Sequence, residues 1–348
     1  MTADSSMIRV LVADDSATVR QYLAYLLGED PGLQVVGTAT DGLDAVEQAV
    51  QLKPDVIVMD VHMPRMGGFE ATRQIMQHVP TPIVMVSTAA RREEVAMTFD
   101  ALKAGALTVL EKPGGLDHPE HDETARRLLD TVKLMSQVKV VRRWPARDWA
   151  PAVPRSVEAG HRVRVVAIGA STGGPQVLAD LLAHQPRHFP APILIVQHIT
   201  RGFTDGLAQW LRLGTSLTVK LAETAERAEP GTVYLAPDGA QLGITKEGRI
   251  QLAAGRGVDA FCPSVSFLFE SVAEAYGPSA MGIILTGMGR DGATGLKRLR
   301  DAGGITIAQD KESSVIFGMP AEAIKLGAAQ YVLSPGEVAE MMRSLVAG

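Results

Sequence analysis

The amino-acid sequence predicts two α/β domains in series, each built on a parallel β-sheet, with an extended linker between them. The 348 residues are too many for one ordinary core and suit two domains. Short apolar runs alternate with helical patterns on both sides of a central break, which is typical of parallel sheets covered by helices. The break itself is rich in proline and arginine, so it favours an extended segment.

The first domain, residues 7–137, is predicted to be a flavodoxin-like unit with a five-stranded parallel sheet. Ser16 is a good N-cap for the helix that follows the first strand. A last helix is predicted over residues 122–137, before the linker. The strands are predicted at Ile8–Ala13, Leu33–Gly37, Asp55–Met59, Ile83–Val86 and Leu107–Leu110.

The linker is predicted over residues 138–162. Six arginines and three prolines lie between Val138 and Arg164, and prolines at this density interrupt helices and strands. We therefore place the domain boundary in this segment.

The second domain, residues 163–348, is predicted to be a doubly wound α/β unit with a small antiparallel hairpin region. Turns are expected at Asp238-Gly239 and Glu247-Gly248, between short antiparallel strands. Those short strands are predicted at Val233–Ala236, Leu242–Thr245 and Ile250–Leu252. The longer strands are predicted at Val163–Ile168, Ile193–Gln197, Met281–Leu285 and Ile305–Ala308.

Composition narrows the functional classes. The net charge is −5 and no basic run stands out, so nucleic-acid binding has no electrostatic support. The single cysteine, Cys262, excludes a disulfide within the chain and fits a reducing compartment. No apolar stretch approaches the ~20 residues of a membrane helix, and the start is short and polar. We expect a cytoplasmic protein without membrane insertion, and nothing suggests more than a monomer.

Three carboxylates end predicted strands of the first domain. Asp14 and Asp15 follow the first strand and Asp60 follows the third, so they should meet at one edge of the sheet. Clustered carboxylates repel one another unless a cation binds, and oxygen ligands with room for water suit Mg²⁺. One carboxylate can then attack a phosphoryl group. Asp14, Asp15 and Asp60 are therefore candidate metal ligands.

Two further strand ends support a phosphoryl site. Lys112 ends the fifth strand and can pair with a phosphate, and Ser87 ends the fourth and can hydrogen-bond to it. Taken alone, a strand-end aspartate such as Asp15 more often caps a helix or faces solvent. The joint appearance of all five residues at their own strand ends is what makes the pattern specific.

Three residues of the second domain form a candidate catalytic triad. Ser171 lies in Gly169-Ala170-Ser171-Thr172-Gly173-Gly174, just after a strand and before a helix that is predicted to begin near Pro175. His198 closes the next strand and can serve as the base, and Asp291 lies in the loop after another strand and can orient the imidazole. A helix N-terminus beside Ser171 favours a developing oxyanion. No cofactor is expected for this chemistry.

Each of these residues has a less specific interpretation. The glycine-rich loop resembles a phosphate-binding loop, although Pro175-Gln176 replaces the Lys-Ser/Thr of a P-loop. A lone histidine such as His198 is more often structural, and Asp291 can be a helix N-cap before Ala293. The three residues favour a triad because each closes a strand of one α/β unit.

Residues 8–137 resemble the receiver domain of two-component response regulators. The resemblance rests on Asp14, Asp15, Asp60, Ser87 and Lys112. It implies that Asp60 accepts a phosphoryl group from a histidine kinase. Ser87 and Lys112 match the switch hydroxyl and the lysine of that family.

The second domain resembles the chemotaxis protein-glutamate methylesterases, the CheB family. The matching motifs are the Ser171 loop, Gln197-His198, Leu285-Thr286-Gly287-Met288-Gly289-Arg290-Asp291-Gly292 and Phe317-Gly318-Met319-Pro320. The resemblance implies a Ser171 nucleophile, a His198 base, an orienting Asp291, a Met288 N–H oxyanion donor and a supporting Thr172. It implies hydrolysis of glutamyl methyl esters on methyl-accepting chemotaxis receptors, with receptor-glutamine deamidation in many members, and the kinase CheA as phosphoryl donor.

Two departures from the family pattern concern the surroundings of the triad. Ile199 stands where the family usually has methionine, and Cys262-Pro263-Ser264-Val265-Ser266 stands where it often has Arg-Pro-Ser-Val-Asp. The second change bears on receptor preference. Two rival hypotheses remain: a partner-binding module without chemistry, and a DNA-binding regulator, which the absence of a helix-turn-helix signal and a basic face disfavours.

Overall fold

The computed structural model describes residues 7–87, 99, 101, 102, 104–115, 118, 119, 121–138, 140, 163–255 and 261–346. The chain separates into two compact units, Met1–Arg147 and Asp148–Gly348. Each unit has its own parallel sheet. Nearly all of the predicted linker, residues 138–162, lies outside the described residues.

The first unit contains a five-stranded sheet in the order β2-β1-β3-β4-β5, with every neighbouring pair parallel. This is the flavodoxin-like order, so the predicted fold of this domain is confirmed. The central strands β3 and β4 are buried along their whole length, as a sheet covered on both faces requires, whereas the edge strand β2 is mostly partly exposed. They are β1 (Ile8–Ala13), β2 (Leu33–Ala39), β3 (Val56–Asp60), β4 (Ile83–Ser87) and β5 (Thr108–Glu111).

The helices of the first unit begin at polar caps. The Ser16 side chain accepts a hydrogen bond from the Val19 N–H, as its position in the sequence predicts. The Asp41 carboxylate accepts from the N–H groups of Leu43 and Asp44 at the start of the second helix. The helices of this unit that the structure describes over a continuous range are α1 (Ala17–Gly28), α2 (Gly42–Leu52), α3 (Gly68–His78) and α4 (His121–Met135).

The second unit contains a seven-stranded parallel sheet in the order β14-β13-β12-β6-β7-β9-β8. Its central strands are β6 (Val165–Ala170), β7 (Ile193–Gln197), β12 (Ala280–Ile284) and β13 (Ile305–Gln309), all buried. The other three are β8 (Thr218–Leu221), β9 (Thr232–Leu235) and β14 (Tyr331–Leu333). The helices are α5 (Gly174–Ala183), α6 (Thr204–Gly214), α7 (Val265–Tyr276), α8 (Ala293–Asp301), α9 (Met319–Lys325) and α10 (Pro335–Val346).

One strand direction was predicted wrongly. Val233–Ala236 was expected in an antiparallel set, but β9 pairs in parallel with both β7 and β8. A short apolar run specifies burial and not direction, and the long connection from β8 to β9 returns the chain to the same end of the sheet. The antiparallel hairpin itself is confirmed as β10 (Ala240–Ile244) paired with β11 (Ile250–Ala254), and Gly248 adopts a φ of 76° in its turn.

The hairpin packs on the same core as the sheet. Leu242 and Ile250 belong to one buried cluster with Phe269 of α7 and Leu296 of α8. Burial of a side chain such as Phe269 stabilises the fold by about 1.5–3 kcal/mol. The cluster therefore fixes the hairpin and the start of α7 relative to the ends of the central strands.

No helix in the described parts of the chain combines the length and the apolar character that crossing a membrane requires.

Candidate functional sites

The predicted triad residues follow three neighbouring strands of the second sheet. β6 lies between β7 and β12: the strands that follow it first in the chain lie on one side of β6, and the later strands β12, β13 and β14 lie on the other. Such a reversal opens a crevice beyond the carboxyl ends of the strands, where ligands bind in α/β folds. Ser171 directly follows β6, His198 directly follows β7, and Asp291 lies in the loop after β12.

The Ser171 loop is held by its backbone. The Ser171 N–H donates to the Thr286 carbonyl at 3.0 Å, and the Ser171 carbonyl accepts from the Gln197 side-chain amide at 2.7 Å. Gly173 takes a φ of 80°, which lets the chain turn sharply into α5. The half-buried serine therefore has a fixed backbone at the start of a helix, where N–H groups favour a developing negative charge.

His198 and Asp291 form a hydrogen-bonded pair. The His198 Nε2 atom lies 2.9 Å from the Asp291 Oδ2 atom, and both side chains are largely buried. The His198 N–H donates to the Ala170 carbonyl at 2.9 Å, so the base is tied to the strand that carries the serine. With Nε2–H donated to the carboxylate, the Nδ1 atom is the one that remains to accept a proton.

The Asp291 carboxylate is also the acceptor for the N-terminus of α7. Its Oδ2 atom accepts from the Val265 N–H at 2.7 Å, and its Oδ1 atom accepts from the Ser266 N–H at 3.1 Å and the Ser264 hydroxyl at 3.0 Å. Burial alone would raise the pKa of Asp291. The bond to His198 and the α7 donors outweigh burial and hold that pKa well below its usual range. The carboxylate is therefore ionised at neutral pH.

Asp291 is thus a helix cap as well as a partner of His198, but for a helix that the sequence did not indicate. The simpler interpretation placed it at the N-cap of α8. The structure puts Gly292 at that position without a side-chain cap, and the carboxylate faces α7 instead.

The serine does not complete a hydrogen-bonded triad in this structure. Among the described residues, no hydrogen bond joins the Ser171 hydroxyl to His198. Catalytic hydrogen bonds of this kind often tighten only when substrate is bound. The Met288 N–H donates to no acceptor in the described part of the chain, and the Thr172 carbonyl accepts from the Thr286 hydroxyl at 3.0 Å. Met288 directly follows Gly287, which lies against Ser171, so its unpaired N–H is a candidate oxyanion donor.

An aromatic ring covers His198 that the sequence analysis missed. The Phe261 ring stacks on the imidazole, with centroids 4.8 Å apart and planes inclined by 10°. Gln241 of β10 holds this segment, since its amide donates to the Phe261 carbonyl at 2.9 Å and accepts from the Ser264 N–H at 2.7 Å. The hairpin thereby supports both the ring over His198 and the start of α7 at Asp291.

Gly287 is a second residue near the serine without a role in the predictions. A Cβ atom at this position would lie 2.6 Å from the Ser171 Cβ and would also collide with the Met319 sulfur. Real side chains do not approach this closely, so the loop after β12 can approach the serine only because residue 287 is a glycine.

We expect Gly287→Ala to displace the Ser171 loop and to lower kcat for ester hydrolysis by about 10- to 100-fold, at a stability cost of about 1–3 kcal/mol. Ester turnover and urea unfolding measure the two effects. Gly214→Ala is the matched control, because nothing lies within 4 Å of a Cβ there. Wild-type turnover by Gly287→Ala would contradict the close packing of the two loops.

The predicted acidic cluster of the first unit is present. Asp14, Asp15 and Asp60 each offer a carboxylate oxygen within 4.8 Å of the others, with Asp14 and Asp60 buried and Asp15 exposed. The Lys112 Nζ atom lies 2.8 Å from the Asp14 Oδ2 and 2.9 Å from the Asp60 Oδ2. Ser87, also predicted for this site, is buried at the end of β4.

The electrostatics of this cluster keep the lysine charged. Burial and the neighbouring Asp14 charge raise the pKa of Asp60, although Lys112 and the Val61 N–H oppose that rise. Burial would lower the pKa of Lys112, yet its bonds to the two aspartates raise that pKa above the ordinary value. The Lys112 ammonium group thus compensates part of the negative charge of the three carboxylates.

The donor set fits a hard divalent cation. Three carboxylates at one strand edge, one of them exposed, provide oxygen ligands and leave room for water, which Mg²⁺ prefers. Asp14, Asp15 and Asp60 would hold the ion. The ion would supply positive charge beside a phosphoryl group on Asp60.

Together, the two units define a protein class: an α/β domain with clustered carboxylates and a lysine at its strand ends, in one chain with an α/β domain that has a serine, a histidine and an aspartate at adjacent strand ends. Residues 166–342 match the family described as CheB methylesterase, and residues 10–120 match the response regulator receiver domain. The chain belongs to the CheB methylesterase family.

Close relatives match almost the whole chain. A Geobacter metallireducens protein named protein-glutamate methylesterase/protein-glutamine glutaminase 4 is 50% identical, over 97% of this chain and 99% of the relative. A Nitrosospira multiformis protein-glutamate methylesterase/protein-glutamine glutaminase is 49% identical over 98% of both chains. The crystal structure of the Thermotoga maritima CheB methylesterase catalytic domain is 41% identical, with a TM-score of 0.51, over 53% of this chain and 99% of that chain.

Proposed function

We propose that this protein is a phosphorylation-activated protein-glutamate methylesterase that acts on methyl-accepting chemotaxis receptors. The observation that carries the proposal is the hydrogen-bonded His198–Asp291 pair at the carboxyl ends of strands adjacent to Ser171. The full-length relatives that bear the names methylesterase and glutaminase support the same activity.

The proposed reaction is acyl transfer through Ser171. The His198 Nδ1 atom takes the serine proton, and the serine oxygen attacks the carbonyl carbon of the glutamyl ester. The proton on His198 then passes to the leaving methoxy oxygen, and methanol departs. Water, activated by the same nitrogen, releases the glutamate and regenerates the serine. The ionised Asp291 stabilises the imidazolium that forms at each step.

The free Met288 N–H and the N-terminus of α5 are the proposed oxyanion donors. Met288 follows Gly287, which lies against Ser171, and α5 begins three residues after the serine. Thr172 supports the arrangement because its carbonyl accepts a hydrogen bond from the Thr286 hydroxyl. Donors fixed before reaction stabilise the tetrahedral intermediate without a reorganisation cost. Attack on a glutamine side chain by the same route would release ammonia, so we propose glutaminase activity as well.

We propose that phosphorylation of Asp60 controls the esterase activity. Asp14, Asp15 and Asp60 would bind Mg²⁺, Asp60 would accept the phosphoryl group from the kinase CheA, and Lys112 and Ser87 would contact it. We propose residues 7–137 as the receiver domain, residues 163–348 as the catalytic domain and residues 138–162 as the linker. We also propose a cytoplasmic monomer.

The test of this function is methanol release from methylated receptor membranes, measured with and without a small phosphoryl donor plus Mg²⁺. Release that rises with the donor is the expected result. No release from any receptor, with Asp60 phosphorylation confirmed, would contradict the proposal and favour a binding module.

We expect Asp60→Asn to retain basal methanol release and to lose the entire response to the donor, because an amide cannot accept the phosphoryl group as a carboxylate does. The same membranes and donor provide the measurement. Asp130→Asn, an exposed position on α4, is the matched control and should respond like wild type. Donor activation of Asp60→Asn equal to wild type would place the phospho-acceptor elsewhere.

A further inference from the structure

A pocket of about 470 Å³ lies beside the His198–Asp291 pair. Two of its walls, Phe261 and Asp291, are the residues that contact the His198 imidazole. The other walls come from Ser266 at the start of α7, from Arg290 in the loop after β12, from the start of α8, and from the end of α9, where Leu326 follows the helix. The catalytic cycle proposed above leaves this pocket unused, and its volume lies in the range of pockets that bind ligands.

The rim of this pocket exposes large apolar side chains. Phe261 is 44% exposed and Leu326 is 45% exposed, and Met288 of the neighbouring loop is 51% exposed. Nine large hydrophobic side chains are exposed among the described residues, and three of the nine lie at this pocket and in the neighbouring loop. An exposed apolar cluster with a polar rim indicates a surface that contacts another molecule.

Of the four charged side chains that line the pocket, Asp291 binds His198 and Glu322 pairs with Lys325, so Arg290 is the one that favours an acidic partner. Arg290 forms no ion pair with any residue that the structure describes. The Lys325 Nζ atom lies 3.4 Å from the Glu322 Oε1 atom. Both side chains are exposed, so this ion pair contributes little to stability and can rearrange. Arg290 is thus available for a carboxylate. A segment that carries glutamyl side chains, as the proposed substrate does, supplies such groups.

We propose that this pocket docks the substrate segment itself: an acidic segment places an apolar side chain between Phe261 and Leu326 and a carboxylate at Arg290, next to the side chain that carries the ester. The inference rests on the proposed function and deepens it. Phe261 and Asp291 line the pocket and also contact the His198 imidazole, so a segment that fills the pocket lies next to the reacting centre.

The test compares a receptor substrate with a small activated ester, p-nitrophenyl acetate, on the phosphorylated full-length protein. Leu326→Glu should lower kcat/KM for methanol release from receptor membranes about tenfold or more, because a charge replaces an apolar contact. Turnover of the small ester, which cannot reach the docking pocket and the triad together, should stay within about twofold. Leu213→Glu, at a leucine 89% exposed on α6, should leave both substrates unaffected.

Two further variants separate the apolar contribution to substrate docking from the ionic contribution. Leu326→Met keeps an apolar side chain and should retain receptor activity near wild type. Arg290→Glu should weaken receptor hydrolysis and reduce its dependence on ionic strength, again with small-ester turnover retained.

Three results would overturn the inference. If Leu326→Glu and Leu213→Glu released methanol from receptor membranes at the same rate, the pocket would play no part in docking. An equal loss on both substrates would mean that Leu326 supports the triad instead. Wild-type protein that hydrolyses the small ester but releases no methanol from receptors would overturn the proposed function, and the docking assignment with it.

Discussion

Ser171→Ala is expected to abolish methanol release from receptors, with a fall in kcat of about 10⁴-fold or more. Acyl transfer needs an oxygen nucleophile at the end of β6, and no other hydroxyl of the described residues occupies that position. The phosphoryl donor should not restore any activity, because it acts on a domain that supplies no nucleophile. Ammonia release from receptor glutamines should disappear in parallel.

The fold should tolerate this change. The contacts that fix the Ser171 loop use its backbone, through the Thr286 carbonyl and the Gln197 amide, and the hydroxyl makes no hydrogen bond in the described structure. We therefore expect the free energy of unfolding to change by no more than about 0.5 kcal/mol.

The measurement is methanol release with matched thermal unfolding, and Ser216→Ala, at an exposed serine of the same unit, is the control. A serine-directed organophosphonate should label wild type and Ser216→Ala covalently but not Ser171→Ala. Substantial methanol release by a folded Ser171→Ala protein would exclude the acyl-enzyme route and leave Ser171 a structural residue of the loop.

The positions and ends of the buried strands could be predicted because both depend on local pattern. Apolar runs such as β1 and β7 are recovered at their full length, since burial on both faces leaves a continuous signal. The edge strands β8 and β14 went unpredicted. They have four and three residues, and each lies at an end of the sheet, where burial is partial and the apolar pattern is short.

In the candidate site, too, some residues could be predicted from the sequence and others could not. Ser171, His198 and Asp291 were accessible from the sequence because each follows a strand, and parallel strands bring such positions together. The contacts that support them were not accessible. Phe261 stacks on His198, and Gln241 holds Phe261 and the start of α7, although these residues are far from one another in the sequence. No periodic pattern marks them, so only the packed structure reveals these contacts.

Asp291→Asn is expected to reduce kcat by about 10³- to 10⁴-fold while leaving Ser171 in place. The Asp291 carboxylate accepts the His198 Nε2–H and thereby leaves the Nδ1 lone pair free for the serine proton. An asparagine amide on that side would donate to Nε2 and force the proton onto Nδ1. The imidazole would then face the serine in the wrong tautomer, unable to act as a base.

The same substitution should also destabilise the fold. Asp291 accepts hydrogen bonds from Val265, Ser264, Ser266 and Gly292, and an amide would turn an N–H group toward at least one buried donor. We expect a loss of about 2 kcal/mol at pH 7. Asp301→Asn, at an exposed position on α8, is the control and should alter neither kcat nor stability.

The pH dependence separates this electrostatic role from simple packing. The folded-state pKa of Asp291 is depressed, so the carboxylate contributes stability above its unfolded pKa of about 3.9 and loses it as the pH falls toward the folded value. The stability difference between wild type and Asp291→Asn should therefore be full at pH 6–7 and should shrink below about pH 4. Urea unfolding at several pH values measures it. A difference that stays constant down to pH 3 would mean that Asp291 acts through shape alone, and the charge assigned to it in catalysis would then lack support.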